Sequence, residues 1–258
     1  MASLIQKIGR LAVQAFNRDS STSLQMKRSC IKQLEELVST VTSADLAIDP
    51  ALLQDDHSQN SNRGCFRADG RAPVIYMQLY EDSDVNICVF ILRRGVRMPM
   101  HDHPGMQGLL KVVHGRIKVQ SYTLLSEAGP RNLHCALKHA PVERTYLHPP
   151  ISLSPDRENL HEIVSVDGPA AFLDILSPPY GEDRRLGFER DCHYFREVDV
   201  TTMDFLSDLD ESKTWLTPIP SPSDFWCDQA EYRGPPLKGV IERGKKWRRY
   251  NRKLTTKK

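Results

Sequence analysis

The stretch Met100-His101-Asp102-His103-Pro104-Gly105-Met106 is the most informative part of this 258-residue chain. If the stretch is extended, His101 and His103 point to the same face, because side chains alternate along a strand with a period of two. Asp102 then points the other way, and we expect it to be structural. Two neighbouring imidazoles on a buried strand are costly unless something uses their lone pairs. The stretch therefore predicts part of a metal site.

A third ligand is expected on a different strand, and His161 is the best candidate. It lies among apolar, β-prone residues in the stretch 159–164. Taken alone, such a histidine is more often a hydrogen-bonded core residue, and it is the His101/His103 pair that favours a ligand. The remaining histidines lie in loops, in turns or beside Cys192: His57, His114, His134, His139, His148 and His193. Three neutral imidazoles suit Fe(II), Zn, Ni or Cu and leave coordination positions open, as in a catalytic site.

Short β-rich runs separated by turn residues, among them His114-Gly115 and 167–169, predict an all-β sandwich or barrel. The runs are 74–80, 85–92, 109–113, 116–122, 146–153, 161–166, 171–176 and 194–198. Residues 124–144 have no clear period and are expected to form a loop. In the run 116–122 apolar and polar residues alternate, which indicates a strand with one face in water.

Four segments are predicted along the chain. Residues 1–45 form a helical segment, 72–200 a catalytic β-barrel, 201–237 an irregular C-terminal wrap on the barrel, and 238–258 a basic, disordered tail. The first 18 residues contain no acid, which is typical of a mitochondrial transit peptide. A helix packed on the body is favoured instead, because its apolar stripe is wide enough to face a core.

Composition is that of a globular protein, with 40% of the residues hydrophobic and 26% charged, and no apolar run approaches the roughly 18 residues that a membrane span needs. The six cysteines are scattered without CxxC pairing and there is no secretory signal pattern, so we expect reduced thiols and a cytoplasmic protein, with mitochondrial or nuclear localisation as alternatives. Ten of the 35 Lys and Arg residues lie in 238–258, which leaves 25 basic and 32 acidic residues before them. We interpret this tail as solvated; a nuclear address or a weak nucleic-acid contact is the alternative.

Gly95, the His101/His103 pair and Gly115 are spaced as in the first cupin motif, G(x)5HxH(x)3-4E(x)6G. This resemblance implies a cupin double-stranded β-helix, or jelly roll, with the N-terminal helices packed outside. The position of the motif's glutamate is occupied by Gly108, or by Gln107 in the shorter spacing. That departure favours a site of three histidines without a carboxylate.

Longer strings carry a more specific resemblance. These strings are 1–6, 101–106, 159–161, 172–180, 191–195 and 224–227. They resemble the family of cysteamine dioxygenases and plant cysteine oxidases over the chain to about residue 237. The resemblance implies one Fe(II) per chain and oxidation of cysteamine to hypotaurine, or of a protein's N-terminal cysteine to the sulfinic acid, by O2. In that family the protein reaction lets O2 control degradation through the N-degron route.

Four further residues are candidates for the reaction. Asp174 lies on an apolar strand, where a buried carboxylate needs a partner such as a histidine N–H or a substrate ammonium; an exposed strand edge is the alternative. Tyr180 could place its hydroxyl at the mouth of the site or simply pack in a turn. Cys192 and Tyr194 share a strand face, and the resemblance implies a possible thioether cross-link between them, with an unmodified pair as the alternative.

Two rival functions stay open: another metal-dependent cupin enzyme and a non-catalytic cupin that binds or stores a ligand. A nucleic-acid module is a weaker rival, because only the tail suggests it. We expect a monomer with no membrane partner.

Overall fold

A computed structural model describes residues 2–18, 23–55, 70–125, 132–183, 185–198, 213–239 and 241. Two helices, α1 (Leu4–Ala15) and α2 (Leu24–Ser39), are followed by a 3-10 turn at Pro50–Leu53. The strands are β1 (Val74–Glu81), β2 (Asn86–Leu92), β3 (Arg97–Asp102), β4 (Gln107–Leu124), β5 (His134–Lys138), β6 (Val142–Thr145), β7 (Ile151–Leu153), β8 (Leu160–Ser177), β9 (Gly181–Asp183), β10 (Phe188–Arg190), β11 (Tyr194–Val198), β12 (Lys213–Ile219) and β13 (Cys227–Gln229). No helix in these ranges is both long and apolar enough to cross a membrane.

Six of the strands close into an antiparallel barrel. In the order β8, β3, β11, β12, β5 and β4, each strand is hydrogen-bonded to the next. The last of them, β4, pairs in turn with β8 and closes the barrel. On the other side of β8 the sheet continues through β2, β1 and β13. The predicted mainly β barrel with N-terminal helices packed outside it is confirmed.

The two longest strands differ from the prediction, which divided each of them in two. The predicted turn at His114-Gly115 is a bulge within β4, where the register against β8 shifts twice. Gly115 has a φ of +68°, and a Cβ atom there would lie 2.2 Å from the carbonyl oxygen of Pro169. A glycine therefore lets the strand bend without ending. The predicted turn at 167–169 likewise lies inside β8, with Asp167 at a φ of 63°.

Three sequence-based expectations about strands are wrong in part. The expected loop 124–144 contains β5 and most of β6, whose half-exposed residues carry no apolar alternation for a pattern to detect. Of the expected strand 146–153, only Ile151–Leu153 is extended, because residues 146–148 form a turn. The C-terminal wrap is not irregular throughout, since Lys213–Ile219 forms barrel strand β12 between β11 and β5.

The helices cover one face of the sheet, as expected. Ser3 caps the N-terminus of helix α1 in a capping box. Its side chain accepts a hydrogen bond from the backbone N–H of Gln6, and the Gln6 side chain accepts one from the backbone N–H of Ser3. Its apolar face packs with α2 against β1, β2 and β8 in one buried cluster. Ile241 is buried in the same cluster, three residues beyond the predicted start of the tail. Most of the tail, with Trp247 and Tyr250, lies outside the described residues.

The opposite face of β8 points into the barrel. Ala171, Leu173 and Ile175 belong to the cluster under the helices, whereas Phe172 belongs to a second cluster with Leu110 and Ile163. Because side chains alternate, Asp174 shares the inner face with Phe172, and His161 shares it with Ile163.

Candidate metal centre

The three predicted ligands come from two neighbouring strands. In the antiparallel pairing of β3 with β8, His101 lies directly opposite His161. His103 follows the end of β3, and its backbone N–H donates to the carbonyl oxygen of Asn159 over 2.8 Å. Residues directly opposite in an antiparallel pair share a face, so the pairing alone brings the imidazoles of His101, His103 and His161 together.

The geometry of the trio fits one metal ion. One ligand atom from each histidine lies within 4.8 Å of the others, and the ring centroids are 4.8–4.9 Å apart. The Nε2 atoms of His103 and His161 are 3.2 Å apart. Two nitrogens bound at right angles to one ion at about 2.1 Å would be about 3.0 Å apart. The two side chains therefore need almost no movement to coordinate together.

The protonation of the trio also suits coordination. His101, His103 and His161 are 8%, 1% and 7% exposed. Burial lowers the pKa of His101, and it lowers the pKa of the other two well below the ordinary value, with a smaller contribution from neighbouring imidazoles. All three are neutral at neutral pH, and a neutral imidazole has one nitrogen lone pair free for a metal.

Hydrogen bonds on the far sides of two rings decide which nitrogen is free. His101 donates through Nδ1 to the carbonyl oxygen of Pro99 over 2.8 Å. The Tyr180 hydroxyl lies 2.5 Å from the carbonyl oxygen of Asp102 and 2.9 Å from Nδ1 of His103. Since the hydroxyl donates its one proton to the carbonyl, its oxygen accepts from His103. Nε2 is then the free nitrogen of both rings, and such partners orient metal ligands.

Asp102 has the structural role that its outward direction predicts. Its carboxylate accepts from the backbone N–H of His193 over 2.7 Å and lies 3.1 Å from Nδ1 of the same residue. The contact joins the end of β3 to the segment that precedes β11, where Cys192 and Tyr194 lie. Neither this contact nor the Pro99 contact can be predicted from the sequence, because backbone partners leave no pattern in it.

No carboxylate reaches the trio among the described residues, where the cluster able to hold a metal consists of the three histidines alone. A Cβ atom at Gly108 would lie 2.9 Å from Leu153 and 3.0 Å from Leu176. Apolar side chains thus fill the place where a larger residue would stand, and Gln107 is exposed. This arrangement agrees with the expected three-histidine site.

Asp174 is buried on the inner face of β8, where the whole residue is 7% exposed. Burial raises its pKa to about 7, against a weaker lowering by a backbone hydrogen bond from Ile175. The negative charge of Asp174 also makes a small contribution to raising the pKa of the Tyr180 hydroxyl. The strand-edge alternative in water is therefore wrong for this residue.

The Cys192 thiol lies close enough to the hydroxyl groups of Tyr180 and Tyr194 for both to lower its pKa. Burial raises the pKa of Cys192 to about 11 and that of Tyr194 to about 12, so both groups are protonated at neutral pH. Tyr194 lies opposite His101 in the pairing of β11 with β3. All seven predicted site residues thus belong to one connected region.

A second candidate region is an open cleft of about 440 Å³ between β1 and residues 229–238. Tyr76, Gln78 and Tyr232 line it, and none of the seven site residues does. Among its lining residues, all within the described part of the chain, there is no cluster of metal-ligating side chains.

Comparison with known proteins gives consistent matches. The family profile described as PCO_ADO matches residues 37–237. The chain is 35% identical to 2-aminoethanethiol dioxygenase of Mus musculus, with 91% of this chain and 96% of that protein covered. It is 27% identical to plant cysteine oxidase 1 of Arabidopsis thaliana, with 72% and 64% covered. A cupin superfamily protein of Desulfitobacterium hafniense is a solved structural neighbour at 16% identity, with 42% and 81% covered and a TM-score of 0.32.

Proposed function

This chain belongs to the PCO_ADO family, and from that membership we propose that it is an iron-dependent dioxygenase that converts thiols to sulfinic acids. The balanced reaction is R–SH + O2 → R–SO2H, in which sulfur is oxidised and both oxygen atoms end on it. We propose cysteamine and the N-terminal cysteine of proteins as substrates, because the relatives are named for 2-aminoethanethiol and for cysteine. On a protein substrate the reaction would make an N-degron signal depend on O2.

The observation that carries this proposal is the set of three buried, neutral imidazoles with no carboxylate beside them. Such ligands suit several transition metals, but zinc has no redox chemistry, and a dioxygenase needs a metal that reacts with O2. We therefore propose Fe(II), one per chain, held by His101, His103 and His161. When bound, the ion would lower the pKa of a coordinating thiol and activate O2 beside it.

The protein's own groups would bind and orient the substrate. Because the ligands are neutral, the site keeps the full positive charge of the ion, which attracts an anionic thiolate. Tyr180 holds His103 by its hydroxyl and so fixes one wall of the site. Asp174 faces the same interior, where an ionised carboxylate would accept a hydrogen bond from the amine that cysteamine and an N-terminal cysteine share.

A thioether between Cys192 and Tyr194 stays a prediction. The thiol lies close enough to the phenol hydroxyl to raise its pKa, so the two partners of the bond are neighbours. Formation of the bond would remove two hydrogens, with O2 as the oxidant.

A monomeric, cytoplasmic protein without a nucleic-acid partner also stays a prediction, since most of the basic tail lies outside the described residues.

The protein loaded with Fe(II) under anaerobic conditions is expected to add about 32 Da, the mass of two oxygen atoms, to a Cys-initiated peptide after exposure to O2. Cysteamine should give hypotaurine with one O2 consumed per turnover. Mass spectrometry measures the oxidised peptide and the hypotaurine, and an oxygen electrode measures the O2 consumed. A peptide that begins with serine is the matched control. Oxygen uptake without a sulfinic acid product would contradict the proposal.

The metal-free Asp174→Asn variant is expected to be more stable than the metal-free wild type at about pH 8, although it turns over more slowly once loaded. Burial raises the pKa of Asp174 from its ordinary 3.8 to about 7. The wild type therefore loses stability as the pH rises between these values, by ~1.4 kcal/mol per pH unit, because ionisation is easier in the unfolded chain. Asparagine has no such loss.

Thermal unfolding at several pH values measures this difference. The advantage of Asp174→Asn should grow between about pH 4 and pH 7 and then level off. Asp156→Asn, on an exposed residue, is the matched control. An advantage that is the same at every pH would contradict the buried, uncharged carboxyl.

A further inference from the structure

A buried ionic cluster lies directly behind the histidine site, and the proposed reaction makes no use of it. Its members are Arg190 on β10, Asp183 on β9 and Arg18 just after α1. Their side chains are 4%, 1% and 22% exposed. Burying a guanidinium is unfavourable unless its hydrogen bonds are all met, so the contacts of Arg190 are informative.

Arg190 makes one hydrogen bond to each side of the site. Its Nε donates to the carbonyl oxygen of Pro104 over 2.9 Å, and its Nη1 donates to the carbonyl oxygen of Pro179 over 3.2 Å. Pro104 directly follows His103, and Pro179 directly precedes Tyr180. The planar guanidinium therefore holds together the two chain segments that carry the 2.9 Å contact between Tyr180 and His103.

We propose that Arg190 is a positioning residue that keeps the Tyr180 hydroxyl on Nδ1 of His103 and thereby keeps Nε2 of His103 turned toward the metal. The inference rests on the proposed function, since it takes His103 as a ligand. It assigns to β10 a role in metal binding, although no residue of β10 touches the trio.

The cluster also connects this clamp to the N-terminal segment. Nη2 of Arg190 donates to Oδ2 of Asp183 over 3.1 Å, and Nη1 of Arg18 donates to the same oxygen over 2.5 Å. Arg18 continues through Nε to Asp84 over 3.0 Å. Burial opposes the ionisation of Asp183, but the hydrogen bonds from both arginines outweigh it and hold its pKa at about 2. Asp183 is thus charged throughout the physiological range and keeps Arg190 in place.

The test is a double-mutant cycle between Arg190 and Tyr180, read by metal binding as well as by turnover. In the wild-type background Arg190→Gln is expected to weaken Co(II) binding to the metal-free protein by ~10-fold, as the loss of a ligand-orienting partner does. In a Tyr180→Phe background the same change should weaken it by less than about twofold, because the hydroxyl through which Arg190 acts is gone.

Two further variants keep the test decisive. Arg190→Lys preserves the charge but cannot span three acceptors, so it should weaken Co(II) binding as much as Arg190→Gln does. It replaces Arg190→Gln in the test if that variant folds poorly. Arg116→Gln, which removes an exposed pair with Glu143 at 3.2 Å, is the control and should bind Co(II) like the wild type.

Equal losses of Co(II) affinity in both backgrounds, or a lowered unfolding temperature with unchanged affinity, would overturn the positioning role. A failure of the proposed function looks different, because the wild type would then bind metal and show the cycle without oxidising thiols. Asp183→Asn is expected to give a smaller loss in the same direction, since it removes only the anchor of Arg190.

Discussion

Replacing His161 by alanine is expected to abolish thiol oxidation and to reduce metal affinity by several hundredfold. Protein sites with three or four ligands bind metals with ~10–16 kcal/mol, so one ligand contributes about 3–4 kcal/mol. His161 lies opposite His101 and 3.2 Å from Nε2 of His103, and among the described residues no carboxylate stands nearby to replace it. Titration of the metal-free variant with Fe(II) or Co(II), followed by the peptide assay, measures both losses.

The matched control is His114→Ala, which removes a half-buried imidazole from the bulge in β4 outside the trio. It should retain metal affinity and turnover. The His161→Ala protein should also keep its near-ultraviolet circular dichroism, because the barrel pairing uses the backbone of β8. Turnover by folded His161→Ala protein would refute its assignment as a ligand.

The sequence predicts the site better than it predicts the fold around it, and the reason is the range of the interactions. Alternation with a period of two is local, so the shared face of His101 and His103 is visible in seven letters. His161 needs only one further step, namely that its apolar neighbours form a strand. The register that sets it opposite His101 depends on pairing across 60 positions, which no local pattern encodes.

Elements that depend on pairing were missed for the same reason. Strand β5 has one buried residue in five, Ala136, and becomes a strand because β4 and β12 lie on either side of it. The local sequence around Gly115 predicts a turn, but β4 pairs with β8 on both sides of this residue, so the strand continues through a bulge. Arg190 has no signal at all, because its acceptors are backbone carbonyl oxygens at Pro104 and Pro179.

Deleting residues 2–18 is expected to leave a protein that is insoluble or lacks cooperative unfolding. The deletion removes α1 and Phe16 just after it, and the large apolar side chains Ile5, Ile8, Val13 and Phe16 are at most 7% exposed. Each contributes about 1.5–3 kcal/mol by burial, so their sum of roughly 8 kcal/mol is comparable with the whole stability of a typical domain. The deletion also removes Arg18 from the ionic cluster behind the site. Soluble yield and thermal unfolding measure the outcome.

Point substitutions separate a packed helix from a detachable leader, the alternative that the acid-free N-terminus favours. Ile8→Ala should lower the unfolding free energy by about 2–5 kcal/mol, because Ile8 is fully buried. Lys7→Ala, on the exposed face of the same helix, should change it by less than about 0.5 kcal/mol. A leader must come away without harm to the body, so a truncated protein that unfolds at the wild-type temperature would favour import.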